Sequence, residues 1–262
     1  SSAPVLADSF NISLWTGNGT SQSITGLGFS PSWVWIKERT STSNNVTFDT
    51  VRGIYQQLYI TTDAQSSNTA SLTSFDSDGF SVGSGLAVNE NAQNYVGWNW
   101  KANTLPSINT DGTIESQVSA NQAAGFSIVS WTSTSSSSDT IGHGLSSKPD
   151  VVLYKKISST GSWFWYTDVI DGSWDELVLN STAAKSDFAG TYATSTTFKS
   201  VTSSAGANWI SYCFHSVAGY SKIGTYTGVS SGVTITTGFR PKFILVKSSS
   251  NVENWAILDA VR

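Results

Sequence analysis

Pro31-Ser-Trp-Val-Trp-Ile-Lys37 recurs in this chain as Pro149-Asp-Val-Val-Leu-Tyr-Lys155 and again as Pro241-Lys-Phe-Ile-Leu-Val-Lys247. Each copy opens on Pro and one polar or charged residue, runs through four large apolar or aromatic residues, and closes on Lys. A short run of β-branched and aromatic residues bounded by Gly and Ser reads as a strand buried on both faces. Pro suits the start of a strand, where no ladder donor is needed. The closing Lys is expected to carry the chain out into water on its long stem.

Further blocks flank each copy in the same order. Upstream stand Phe10-Asn-Ile-Ser-Leu-Trp15-Thr-Gly17, Phe126-Ser-Ile-Val-Ser-Trp131-Thr132 and Tyr220-Ser-Lys-Ile-Gly-Thr-Tyr226-Thr-Gly228. A Ser/Thr/Gly turn follows each, then a short strand expected to end near Ile24, Ile141 or Ile235. Downstream stand Phe48-Asp49-Thr-Val-Arg52-Gly53, Thr167-Asp168-Val-Ile-Asp171-Gly172 and Leu258-Asp259-Ala-Val-Arg262. Matched blocks in one order at similar spacing make an internal repeat. The first two units continue to aromatic strands, Tyr95-Val-Gly-Trp98-Asn-Trp100 and Trp209-Ile-Ser-Tyr212-Cys-Phe214. Asp76-Ser-Asp78-Gly79 reads as a hairpin turn, because Asp tolerates and Gly favours a positive φ.

The expected layout is a first repeat at 1–103, a connecting segment with a hairpin at 104–125, a second repeat at 126–218, and an incomplete third at 219–262. A unit of about 95 residues with seven or eight short strands has the scale of a small antiparallel sandwich. The fold class is therefore all-β: tandem antiparallel β-sandwich modules, lectin- or jelly-roll-like, in a rod. Met is absent and the chain starts Ser1-Ser-Ala-Pro4. This reads as a segment of a longer polypeptide, against a complete chain that has lost its initiator.

Charged residues make up 12 % of the chain, about half the usual share, and the net charge is -4 with no cluster of Lys or Arg. That balance points away from nucleic acid and anionic membranes. No apolar run approaches the roughly 18 residues of a spanning helix. With Cys213 alone, no intrachain disulfide can form.

The blocks of unit one resemble a module common in proteins of marine bacteriophages. The residues that carry the resemblance are Trp15-Thr-Gly-Asn-Gly19, Ile24-Thr-Gly-Leu-Gly-Phe29, Trp33-Val-Trp-Ile-Lys37, Phe48-Asp-Thr-Val-Arg-Gly53, Asp76-Ser-Asp-Gly-Phe80 and Tyr95-Val-Gly-Trp-Asn-Trp-Lys101. Unit two matches loosely and unit three only in its front half. Such modules occur in tail-fibre-like or capsid-associated virion surface proteins and resemble concanavalin-type lectin sandwiches. The resemblance implies a non-enzymatic structural or adhesive role on the virion surface, outside the cell. Other virion proteins, a homo-oligomer (fibres of this kind are typically trimers) and a host surface polysaccharide would be its partners. It supplies no catalytic residues.

Candidate chemistry is sparse. His143 lies in a Gly-flanked turn, and neither it nor His215 has a nucleophile beside it in sequence. Asp171, Asp175 and Glu176 beside Trp174 are the one set of carboxylates suited to glycosidic cleavage. Acidic residues in a Gly-containing loop are, however, ordinary solvated turn residues. No cofactor is expected. Ca²⁺ at Asp76, Asp78 and Asn89 or Glu90 competes with a plain hairpin, because the remaining ligands of a Ca²⁺ loop are missing. Trp163, Trp165 and Trp174, with Asp171 and Asp175, are the glycan-binding candidates, since exposed aromatic faces stack on sugars. A secreted carbohydrate-binding module and a glycan depolymerase are the alternatives; buried Trp residues would instead favour a purely structural protein.

Overall fold

The computed structural model describes residues 9–103, 105–200 and 204–261. Unit one contains β1 (Phe10–Thr16), β2 (Gln22–Thr25), β3 (Trp33–Glu38), β4 (Val46–Asp49), β5 (Gln56–Tyr59), β6 (Ser66–Ser67), β7 (Leu72–Asp76), β8 (Gly79–Val82), the short α1 (Leu86–Asn89) and β9 (Asn94–Trp100). The next strands are β10 (Ser107–Asn109), β11 (Ser116–Asn121), β12 (Phe126–Thr132), β13 (Thr140–Gly142), β14 (Val151–Lys156), β15 (Trp163–Thr167), β16 (Asp175–Val178), β17 (Ser186–Asp187), β18 (Thr197–Lys199) and β19 (Asn208–Phe214). Unit three contributes β20 (Phe243–Val246) and β21 (Ala256–Asp259). The protein is all-β, and its strand ladders are antiparallel.

Unit one is a sandwich. A six-stranded sheet ordered β1-β9-β3-β4-β5-β6 packs against a smaller sheet ordered β2-β8-β7. Alternation along β3 explains the packing: Val34 and Ile36 face the core between those two sheets, while Trp33 and Trp35 face the other way. Unit two repeats the order as β12-β19-β14-β15-β16-β17, with β13-β18 as its small sheet. The segment at 104–125 is no free connector. Its β10-β11 hairpin extends the large sheet of unit two to eight strands.

The expected rod of modules does not form. The two large sheets pack face to face, and Trp33, Trp35, Trp98 and Trp100 of unit one share one core with Leu153, Trp163, Ile210 and Tyr212 of unit two. The Trp33 ring stacks 4.5 Å from Trp100 and 4.2 Å from Tyr212. Buried aromatic pairs of this kind add about 0.5–1.5 kcal/mol each beyond area burial.

Register ties the three Pro-to-Lys strands together. Trp33 pairs with Asp49, Val151 with Thr167, and Phe243 with Asp259, so each residue two after the Pro meets the residue sixteen further on. Thr167, not Asp168, therefore occupies the place of Asp49 in the ladder. Asp168 matches Asp49 only at the following corner, where Gly53 and Gly172 donate to the carbonyls of Asp49 and Asp168. Both glycines hold a left-handed φ, 90° and 92°, that a side chain would strain.

The repeat lysine does not run out into water. Lys37 Nζ turns back to the carbonyls of Glu38 (2.5 Å) and Ser41 (3.1 Å), and Lys247 makes the matching bonds to Ser248 and Asn251. Lys155 is fully buried and donates to the carbonyls of Thr62 and Gly161. An ammonium with three donors closes a hairpin tip whose carbonyls would otherwise lack partners.

The front of unit three differs from its counterparts. Residues 224–241 form no strand, and Tyr226, Val229, Val233 and Ile235 are exposed. Arg262, the last residue of the third downstream block, lies outside the described residues.

Candidate functional site

The five glycan-binding candidates do not converge. Alternation along β15 sends Trp163 and Trp165 to the core between the large sheets, while Phe164 and Tyr166 face the core of unit two. Trp163 is fully buried, and its indole donates to the Tyr59 carbonyl at 2.8 Å. Trp165 is half-buried against Trp255, with ring centroids 5.3 Å apart. Trp174 sits on the opposite side of the sheet, buried in the core of unit two, with the Lys148 ammonium 5.3 Å from its ring. A sugar would need a bare aromatic face, and neither Trp163 nor Trp174 presents one.

Asp171 and Asp175 do come together, with a third carboxylate that the sequence reading passed over. The corner after β15 and the β16-β17 hairpin bring Asp171, Asp175 and Asp187 within 4.8 Å of one another. Lys185 Nζ stands among them at 2.8, 2.6 and 2.7 Å. The ammonium and a pair of hydrogen bonds from Ser173 hold Asp171 far below the usual carboxylate range. Burial pushes Asp175 up despite the same ammonium, and Lys185 is held well above its ordinary value by its three partners. Asp175 is fully buried, and its second oxygen, Oδ2, has no hydrogen-bond partner. Glu176 points elsewhere and accepts from the Tyr166 hydroxyl.

The corresponding corner of unit one shows what the cluster is. There Arg52 Nη1 donates to Gln65 Oε1 at 3.3 Å, and Gln65 Nε2 donates to Gln56 at 2.9 Å. Ladder pairing places Asp175 where unit one has Gln56, and Asp187 where it has Ser67. Unit two thus inverts the corner: an acid replaces Arg52 and Lys185 replaces Gln65. The lysine supplies the positive charge, and the three acids form an ion-pair network with it. Only local spacing was visible in sequence, and Asp187 belongs to a strand that pairs across it.

Three of the Ca²⁺ candidates, Asp76, Asp78 and Asn89, are engaged by protein groups. Asp78 accepts from the backbone of Gly26 (3.1 Å) and Gly28 (2.6 Å), and Asp76 accepts from Ser81 at 2.7 Å. The buried Asn89 amide is spent on Asn18, Thr20 and Gly83. Asp76 pairs with Gly79 across the two-residue turn, as the hairpin reading requires.

His143 is buried with its tautomer set by its neighbours. Leu145 N–H donates to Nδ1 at 3.1 Å, so the ring proton lies on Nε2, which faces the Thr194 carbonyl at 3.3 Å. Burial lowers its pKa to about 4. Burial likewise pushes the Cys213 thiol up to about 12, the opposite of what a nucleophile needs.

A buried polar knot also couples the two units. Asp49 Oδ2 accepts from Arg52 Nε at 2.5 Å and from the Tyr212 hydroxyl of unit two at 2.7 Å. Its Oδ1 accepts from the backbone of Val51 and Arg52. The remaining guanidinium nitrogens reach the carbonyls of Gln56 and Thr47. Asp259 of unit three accepts in the same way from the indole of Trp98, at 3.1 Å.

One family is similar to this chain over nearly its whole length: its model, described as a domain of unknown function (DUF7483), matches residues 6–262. No curated protein matches the chain, and no solved structure does.

Proposed function

Because the chain belongs to the DUF7483 family, whose description names no activity, we propose its role from the placement of its aromatic residues: a non-enzymatic structural module of a virion surface. Its work is assembly. It forms part of a fibre or of an appendage on capsid or tail, in contact with other virion proteins, as a homo-oligomer. The virion assignment rests on the resemblance of the unit-one motifs to marine phage modules. The structural assignment rests on one observation: nine of the eleven tryptophans are buried, and Trp165 and Trp255, the two half-buried ones, cover each other. The aromatic surface is thus spent on cohesion between sheets.

Host-glycan attachment, a secreted carbohydrate-binding module and a glycan depolymerase are the rival readings. Each needs an aromatic-lined groove, and the last also needs a carboxylate pair free to exchange protons. Asp171 and Asp175 are instead tied to Lys185. The test is an array of bacterial surface polysaccharides probed with the purified chain, beside a viscosity assay on the same polymers. Silence in both is expected. Saturable binding would make the protein an adhesin, and polymer shortening would make it an enzyme. Mass spectrometry and antibody labelling of purified virions test the location.

A further inference from the structure

Asp175 is held fast from both sides. Ladder pairing joins it to Thr167 of β15 and to Asp187 of β17. Its side chain is fully buried, with Oδ1 accepting from Lys185 Nζ at 2.6 Å and Oδ2 left without a donor. Lys185 is anchored too: its backbone N–H donates to the Ser249 carbonyl at 2.8 Å, and the next residue enters β17. An amine and a carboxyl carbon are thus kept in contact by paired backbone.

Such a contact calls for a reason, because a buried ion pair repays its desolvation only when its remaining lone pairs are filled. Unit one holds the same corner without the charges: Gln65 Nε2 donates to Gln56 Oε1 at 2.9 Å. Two carboxamides make a hydrogen bond and go no further. A lysine and an acid in their places can condense.

We propose that Lys185 and Asp175 join through an isopeptide bond, Nζ to Cγ, which staples β17 to β16 with loss of one water. The freshly folded chain holds the ion pair, and the bond forms in it without a co-reactant. The ammonium first hands one proton to Asp175, which leaves a neutral acid facing a neutral amine. Nζ then attacks Cγ while Asp187, 2.7 Å from Nζ, takes a second proton from the nitrogen. That proton goes on to the departing hydroxyl. One C–O bond breaks, one C–N bond forms, and nothing is oxidised or reduced.

Three carboxylates hold the ammonium well above its ordinary pKa, so the neutral pair is rare and the reaction slow. Burial raises Asp175 and favours that pair. Contact does the rest. Groups fixed against each other react as though at about 10⁵–10⁸ M, and the amide removes two opposite charges from a place that desolvates them. The orphaned Oδ2 finds its explanation here, since the amide keeps a single oxygen.

The bond closes the chain between residues 175 and 185 at the β17 end of the eight-stranded sheet, where the last strand is only two residues long. With Cys213 the one cysteine of the chain, no intrachain disulfide can supply such a lock. It needs no virion to form, and its failure to form would leave the assembly reading untouched.

Intact-mass measurement of the full chain, followed over days after folding, tests this. The chain should become lighter by one water. Trypsin should stop cutting after Lys185, so that residues 157–199 are released as one branched peptide. Lys185→Arg keeps a positive charge among the carboxylates and should hold its full mass. A folded parent chain that keeps its full mass would overturn the proposal. So would a water lost while trypsin still cuts after Lys185, or lost equally by Lys185→Arg, either of which would mean a cyclic imide at an Asp-Gly step such as Asp171-Gly172.

Discussion

The Tyr212 hydroxyl donates to Asp49 Oδ2 across the face between the two large sheets, and the same oxygen takes Arg52 Nε. The salt bridge is almost wholly out of water, its side chains 2 % and 0 % exposed. A buried ion pair gains little over an apolar pair, but breaking it strands a charge. Burial and the facing carboxylate in turn hold the Tyr212 phenol well above its ordinary pKa.

Tyr212→Phe should therefore cost about 1.5–3 kcal/mol, the range for a hydrogen bond to a charged acceptor. Asp49→Ala should cost about 3–5 kcal/mol, because Arg52 is left buried and unpaired. Urea unfolding measures both. Losses under about 0.5 kcal/mol in both variants would show that the knot does not couple the sheets.

His143 should make the protein acid-sensitive well above the carboxylate range. Its native pKa is lowered to about 4 against 6.5 in the unfolded chain, so between those values the unfolded state binds a proton that the native state refuses. Stability should fall as pH drops from 6.5 to 4, and His143→Gln should flatten that slope. An unchanged slope in the variant would assign the sensitivity to other groups.

Lys155 should act in the opposite range. Burial lowers its pKa to about 8 from 10.5. Above pH 8 the native ammonium gives up its proton while the unfolded chain keeps it, so stability should rise toward pH 9.5. Below pH 8 both states are charged and the effect vanishes. Lys155→Met should remove the rise, as chemical denaturation at pH 7.5, 8.5 and 9.5 would show.

Lys185→Ala should turn the corner of unit two into a cation site. Three carboxylates within 4.8 Å then lack their ammonium. In low salt the variant should melt about 2–4 °C lower, and millimolar Ca²⁺ should restore the loss while leaving the parent chain unmoved. Melting of the variant that ignores Ca²⁺ would mean that the carboxylates splay apart instead.

Strand identity was legible wherever one strand carried its own signal. Both faces of Trp33–Ile36 read as apolar, and both are buried. What lay against those faces was not legible, because an apolar side chain specifies no partner, and the face-to-face packing replaced a rod. Lys155 was misread for a related reason: its stem suits water, and only the carbonyls of Thr62 and Gly161 make burial tolerable. The Tyr220–Gly228 block stands where β1 and β12 stand in the other units and yet forms no strand, since a strand needs a ladder as well as a place in the repeat. Of the candidate residues, the meeting of Asp171 and Asp175 followed from local spacing. The burial of Trp174 and the arrival of Lys185 and Asp187 depended on pairing across β16 and β17.

The position of β9 between β1 and β3 also sets a schedule. Phe10 leaves the ribosome well before Trp100, its ladder partner. At about 5–20 residues per second that wait is roughly 5–18 s. Throughout it, the edges of β1 and β3 that β9 will cover stay open, and the same delay recurs when β12 and β14 await β19. A nascent chain exposed for that long is safest when its loops are rich in hydroxyls and amides and poor in sticky apolar runs. The abundance of Ser, Thr and Asn around the aromatic strands suits a protein whose sheets are sealed last at their centres.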